Sequence, residues 1–225
     1  MTNFLAAIFE PLNRLLSLLA SVLRLGAGFA GEPAVEPGEP LILYEFEGCP
    51  FCRIAREAVS ETGVATLVRP CPKGGKRFRP RVRELGGKTQ FPYLVDLNTD
   101  VSMYESADIA RYLYKTYGKR SASLFLWLGP LNGVLSAFGV MARLYAGTFA
   151  RRARPPERPL EFIGAERDPS ARLVKELLCE LELDYVWRPR GQDGKGAPRL
   201  KDPNTGADLK GAMTIRQYIA RTYGH

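Results

Sequence analysis

The sequence is poor in histidine and cysteine. Its only histidine is His225, the last of 225 residues, and it has four cysteines and two tryptophans. Without an internal histidine, the chain cannot use a Ser-His or Cys-His catalytic pair. A zinc site would need Cys49, Cys52, Cys71 and a distant fourth ligand. Four cysteines with one C-x-x-C spacing also do not form the disulfide framework of a small secreted protein.

Acidic residues are in the minority, whereas the overall composition is ordinary. The chain has 32 Lys and Arg against 24 Asp and Glu, with 45% hydrophobic residues, which is typical of a globular protein and long enough for two small domains. The basic residues concentrate in Lys73–Arg83 and Arg151–Arg154. Such runs are usually solvated, and they attract anions or acidic lipid. No recognition motif accompanies them, so we do not expect nucleic acid as a partner.

One cysteine pair, Cys49-Pro50-Phe51-Cys52, lies between an apolar run at 41–46 and a helical pattern. A thiol at a helix start is near unpaired N–H groups and the positive end of the helix dipole, which favour the reactive thiolate. Pro50 suits the first turn of a helix. We therefore predict a redox pair made of Cys49 and Cys52; two buried structural cysteines, or half of a zinc site, are the alternatives.

The chain also contains a long internal repeat. Pro11-Leu12-Asn13 returns as Pro130-Leu131-Asn132, and this offset of 119 residues holds as far as Pro189. Beyond it the offset is 106, as in Thr116-Tyr117-Gly118 and Thr222-Tyr223-Gly224. Dense self-similarity at a long period predicts paired domains. The predicted boundaries are an apolar helix over residues 1–30, a domain over 40–118, an apolar helical linker over 121–150 and a degenerate domain over 159–225.

The two copies differ at the positions where chemistry is expected. The first copy has Cys49, Cys52 and Glu105-Ser106 where the second has Asp168, Ala171 and Gly211-Ala212. We therefore expect thiol chemistry in the first copy only. Of the two remaining cysteines, we expect Cys71 to be structural and Cys179 to be a small core residue.

Each copy is preceded by an apolar segment with helical spacing. The stripes consist of Leu12, Leu15, Leu16, Leu19, Val22 and Leu23 in the first segment, and of Leu131, Val134, Leu135, Phe138 and Met141 in the second. Met1–Glu10 lacks the basic start of a signal peptide, and Gly129-Pro130 weakens the second segment as a membrane span. Because both copies carry the same stripe, we expect helices that pack on the domains or on each other; a membrane surface is the alternative.

The first copy shows the element order β-α-β-α-β-β-α, which is the thioredoxin arrangement. The predicted strands are Leu41–Glu47, Val64–Arg69, Tyr93–Asp96 and Val101–Tyr104, and the predicted helices are Pro50–Glu61, Phe78–Leu85 and Ser106–Tyr117. We expect an α/β fold made of two tandem thioredoxin-like domains, each preceded by an apolar or amphipathic helix.

Three segments together resemble the glutathione S-transferase N-terminal domain, namely Tyr44–Cys52, Gln90–Val95 and Tyr104–Ile109. The Cys-Pro-Phe-Cys form is similar to that of the glutaredoxin-type members. The resemblance implies that Cys49 attacks and Cys52 resolves, and that glutathione is the cofactor. It implies that the remaining glutathione contacts come from Phe91 beside a cis Pro92, from Glu105 and Ser106 for the γ-glutamyl end, and from a basic residue of Lys73–Arg83 for the glycyl carboxylate.

The resemblance also sets the expected function. It implies a cytoplasmic, glutathione-dependent thiol–disulfide oxidoreductase that acts on disulfides or glutathionylated proteins. The helical domain that usually follows in glutathione transferases is replaced by the second copy, so conjugation of electrophiles is not expected. Two alternatives stay open: a non-catalytic scaffold associated with a membrane surface, and a glutathione-liganded binder of an iron–sulfur cluster or haem.

Overall fold

A computed structural model of the chain describes residues 15–19, 27–120, 130–141, 143, 146–189 and 196–225. The strands are β1 (Leu41–Glu45), β2 (Thr66–Pro70), β3 (Tyr93–Asp96), β4 (Val101–Met103), β5 (Leu160–Ile163), β6 (Tyr185–Arg188), β7 (Arg199–Asp202) and β8 (Ala207–Lys210). The helices are α1 (Pro50–Thr62), α2 (Arg79–Gly86), α3 (Ser106–Tyr117), α4 (Pro130–Met141), α5 (Pro169–Glu180) and α6 (Ala212–Thr222); residues 15–19 are also helical.

All eight strands belong to one sheet with the order β4-β3-β1-β2-β6-β5-β7-β8. In each half, the pair next to the other half is parallel (β1–β2 and β5–β6), and the remaining two pairs are antiparallel. The halves join where β2 runs antiparallel to β6, with Leu67 opposite Val186. The predicted α/β class is confirmed, and the strands of the two predicted domains form a continuous sheet. Each half thereby covers a strand edge of the other. The domain boundaries stay a prediction.

The strand β1 begins with a continuous apolar run, and its leucines mark the position of the core. Leu41 and Leu43 are fully buried against Ala55 and Val59 of α1. The second half repeats this packing, with Phe162 of β5 in the same core. Each such buried side chain contributes about 1.5–3 kcal/mol relative to an exposed one. A smaller cluster under α2 contains Tyr44, Cys71, Val82 and Tyr93.

Buried charges join α1 to α5 on one face of the sheet. Arg56 of α1 lies 3.3 Å from Glu166 and 3.0 Å from Glu47. Lys175 of α5 contacts the same two carboxylates, at 3.5 Å from Glu47. Arg56 also pairs with Glu45 on β1. The two halves are thus connected by a closed group of ion pairs as well as by the β2–β6 ladder.

The apolar segments before each half pack across the molecule. Ser17 donates to the carbonyl of Pro169 at the start of α5 (3.1 Å), and Ser136 of α4 donates to the carbonyl of Pro50 at the start of α1 (2.6 Å). These contacts agree with packing on the domains. The rest of the predicted helix over residues 1–30, apart from 27–30, and the start of the linker at 121–129 lie outside the described residues. Within the described part of the chain, no helix is both long and apolar enough to cross a bilayer.

The orientation of these segments differs from the prediction. Ser17, which the periodicity places opposite the apolar stripe, is fully buried, whereas Leu15 and Leu19 of that stripe are exposed. The reason is a set of polar contacts with α5: the Ser17 hydroxyl donates to the carbonyl of Pro169 and accepts from Arg172. Apolar periodicity alone carries no information about these partners.

Candidate functional site

Cys49 occupies the residue immediately before α1, in an extended conformation (φ −101°, ψ 121°). Its Sγ accepts a hydrogen bond from the backbone N–H of Cys52 at 3.2 Å, and its own N–H donates to the carbonyl of Phe46 at 3.1 Å. Pro50 takes the first helical position, as predicted. The thiol therefore caps the helix in the way that a serine or aspartate usually does.

The two cysteines have opposite electrostatic environments. A hydrogen bond from the Cys52 thiol, the Cys52 N–H and the charge of Arg56 together hold the pKa of Cys49 below its usual range, although burial opposes them. Burial raises the pKa of Cys52 well above its usual range, and the nearby Cys49 and Glu45 raise it further. Cys49 is 5% exposed and Cys52 is fully buried. Cys49 is therefore the more readily ionised thiol of the pair, and Cys52 lies behind it.

The loop before β3 packs beside the cysteine loop. The peptide bond between Phe91 and Pro92 is cis. The ring of Phe91 meets that of Phe46 edge-on, with 6.0 Å between centroids, and Phe46 is the residue whose carbonyl receives the Cys49 N–H. Because β3 begins at Tyr93, the backbone N–H and C=O of Phe91 lie outside the strand.

A basic residue also lies at this loop. The guanidinium carbon of Arg79 is 4.7 Å from the centroid of the Phe91 ring, and one of its nitrogens donates to the carbonyl of Cys71 at 2.7 Å. The sequence could not select one residue from the basic run Lys73–Arg83. The structure places Arg79 next to the predicted site.

Glu105 and Ser106 form the start of α3. Glu105 has a positive φ of 67°, which is costly for a residue with a side chain. The equivalent position of the second half is Gly211, with φ 91°, where the same turn carries no such cost. The Glu105 carboxylate accepts from Gln90 at 2.6 Å. Gln90 was missed as a site residue, and the only signal for it was its place next to Phe91.

The second half has no thiol at the matching position. Asp168 precedes α5 and accepts from the N–H of Ser170 at 2.8 Å, which is an ordinary helix cap. Cys71 and Cys179 are buried, as predicted, and burial raises the pKa of both thiols. Neither of them is prepared for nucleophilic attack. No group of three or more residues that could bind a metal occurs in the described ranges.

This geometry defines a thioredoxin-like domain with a cysteine pair at the start of its first helix. Residues 43–121 match the family model described as "Glutathione S-transferase, N-terminal domain". The chain therefore contains a glutathione S-transferase N-terminal domain, and every predicted site residue lies inside the matched segment. No curated protein and no solved structure matches the chain.

Proposed function

We propose that this protein is a glutathione-dependent thiol–disulfide oxidoreductase, an enzyme that acts through Cys49 and Cys52. The observation that carries the proposal is the unequal cysteine pair at the start of α1: one thiol has a lowered pKa and is 5% exposed, and the other has a raised pKa and is fully buried. A structural pair has no need of this difference, whereas sequential attack and resolution require it.

The reaction takes place in two exchanges. The Cys49 thiolate attacks a sulfur of oxidised glutathione or of a glutathionylated protein, so that a mixed disulfide forms and the second sulfur leaves as a thiolate, which takes a proton from solvent. Cys52 then loses its proton and attacks the Cys49 sulfur, which releases glutathione and leaves an internal disulfide. Alternatively, free glutathione attacks the mixed disulfide and releases oxidised glutathione.

The site also offers groups for each end of glutathione. The backbone of Phe91 suits the cysteinyl portion, because its polar groups lie outside β3. The exposed carboxylate of Glu105 suits the γ-glutamyl ammonium, and Ser106 with the first N–H groups of α3 suits the α-carboxylate. Arg79 suits the glycyl carboxylate, because it lies on Phe91. We place this reaction in the cytoplasm, where thiols are kept reduced.

The test is the mass of the intact protein after treatment with oxidised glutathione. We expect an internal disulfide in the wild type and one glutathione adduct, on Cys49, in the Cys52→Ser variant. Cys49→Ser should form neither, and Cys71→Ser is the matched control that should behave as the wild type. Reduction of a glutathionylated peptide should follow the same pattern, with Cys49→Ser inactive and Cys52→Ser retaining monothiol activity.

The opposite results are equally informative. A wild-type protein that gains neither a disulfide nor an adduct would contradict the proposal and favour a non-catalytic scaffold. An adduct on Cys71 or Cys179 would contradict the assignment of the nucleophile.

A further inference from the structure

Both apolar segments present small or polar residues to the protein and large apolar residues to solvent. On α4, Ser136 and Val140 are buried, whereas Val134, Phe138 and Met141 are about half exposed. These three residues follow the i, i+4, i+7 spacing of one helix face. On the helical residues 15–19, Ser17 is buried, whereas Leu15, Leu18 and Leu19 are exposed. We define the outer apolar face as six of these residues: Leu15, Leu18, Leu19, Val134, Phe138 and Met141. Each of them is 44 to 53% exposed.

The two parts of this face lie on the same side of the sheet. Ser17 is attached to the start of α5 and Ser136 to the start of α1. These two helices are themselves joined by the ion pairs Arg56–Glu166 and Lys175–Glu47. Helices that pair with each other share one face of the sheet, so the segments that rest on them share it too.

Phe51 of the cysteine loop extends the apolar surface next to α4. It is 55% exposed. A Cβ atom placed on Gly133 of α4 would lie 3.6 Å from the Phe51 ring. Phe149, which is 64% exposed, is also near this loop, because its neighbour Thr148 is in contact with Gly48.

Exposed basic residues accompany this apolar surface. The backbone of Lys73 forms an isolated parallel β-bridge with that of Phe149, and Lys73 is exposed. Arg151 is 63% exposed at its side chain and lies 3.2 Å from Glu180. Lys119 and Arg120, which precede the uncharged segment 121–142 in the sequence, are also exposed, and Lys119 pairs with Glu32. Arg143, which follows that segment, is buried against Glu176 and does not belong to this border. Apolar side chains with cations at their border are what an interfacial membrane helix requires.

We propose that the outer apolar face binds the surface of an anionic lipid bilayer. The apolar side chains enter the boundary between headgroups and acyl chains, and the neighbouring lysine and arginines contact the lipid phosphates. A second copy of the chain fits this face less well than a membrane does. Each copy has a net charge of +8, so two copies would repel each other. The anionic surface instead complements that charge. The proposal does not depend on the chemistry of Cys49.

The test is flotation of the full-length chain with phosphatidylcholine vesicles, with or without phosphatidylglycerol. We expect binding to the phosphatidylglycerol vesicles that weakens as salt is raised. The double variant Val134→Gln/Phe138→Gln should partition at least about tenfold less, because two apolar side chains no longer enter the lipid.

The matched control is Val35→Gln/Leu97→Gln, which changes two equally exposed apolar residues on other segments and should bind as the wild type. Circular dichroism verifies that both variants are folded. A wild type that stays unbound, or a Val134→Gln/Phe138→Gln variant that binds fully, would overturn the proposal. A dimer in light scattering that this variant dissociates, without lipid binding by the wild type, would also overturn it in favour of a second copy.

Discussion

The two halves differ in chemistry at the residue immediately before α1 and α5. Cys49 and Asp168 occupy equivalent positions, and each accepts a hydrogen bond from a backbone N–H of the following turn. A carboxylate there is a stable cap, whereas a thiol there has its pKa lowered by the same N–H group. One side chain on a common backbone therefore decides which half is able to react.

Glu105→Gly should move stability and ligand binding in opposite directions. Glycine removes the cost of the positive φ, and we expect a gain of about 1 kcal/mol in the free energy of unfolding. The same change removes the carboxylate that we propose for the γ-glutamyl ammonium, so the affinity for glutathione should fall. Urea unfolding and titration calorimetry measure the two effects.

Glu105→Gln is the control for this prediction. It removes the charge and keeps the strained backbone, so it should weaken glutathione binding without a gain in stability. If Glu105→Gly binds glutathione as tightly as the wild type, the strained turn has no role in binding and the assignment of Glu105 is wrong.

At the scale of elements, the two halves exchange equivalent hydrogen bonds through α1 and α5. Ser60 of α1 accepts from the N–H of Glu166 at 3.1 Å and donates to the carbonyl of Gly28 at 2.9 Å. Cys179 of α5 accepts from the N–H of Glu47 at 3.4 Å and donates to the carbonyl of Gly147 at 3.2 Å. A thiol in the second half thus fills the position of a hydroxyl in the first.

Cys179→Ser should therefore leave the protein about as stable as the wild type, because the hydroxyl can make both bonds as Ser60 does. Cys179→Ala should lower the free energy of unfolding by about 1–3 kcal/mol, because the Glu47 N–H and the Gly147 carbonyl then lose their partner. Chemical denaturation of the two variants measures the difference. Equal losses in both would show that the volume of the sulfur matters and its hydrogen bonds do not.

At the scale of the whole molecule, the connection between the halves is charged as well as hydrogen-bonded. Lys175 is fully buried and contacts Glu166 and Glu47. Its ammonium also lies 4.4 Å from the centroid of the Trp187 ring. Neighbouring cations hold the pKa of Glu166 below its usual range despite its burial. The arrangement is stable only while all of its members are present.

Lys175→Met should lower the free energy of unfolding by about 3–5 kcal/mol, because Glu166 and Glu47 then share Arg56 alone and one buried negative charge is no longer compensated. Arg199→Met is the comparison, since it breaks an exposed pair with Asp208 and should cost less than about 1 kcal/mol. Adding Glu166→Gln to Lys175→Met should restore part of the loss. Similar losses of unfolding free energy for Lys175→Met and Arg199→Met would indicate that the buried charges do not stabilise the connection between the two halves.

Local patterns were enough to predict much of the candidate site. The position of Cys49 follows from an apolar run, a proline and a helical pattern, because helix ends have fixed chemical needs. Gln90 and Arg79 were not selected, because their placement depends on contacts with Glu105 and Phe91 across the loops. Nothing in the spacing of a glutamine or an arginine specifies such a partner.

Residue types and their spacing are enough to predict the α/β class, the placement of the cysteine pair at a helix start and the loss of both thiols in the second half. These features depend on interactions within a few turns of chain. Three other features follow from the folded chain alone: the strands form one continuous sheet, buried charges join α1 to α5, and the large apolar residues of the outer apolar face point away from the protein. Each of these depends on a partner at least 86 residues away in the sequence. A local pattern specifies that a group needs a partner without specifying which one.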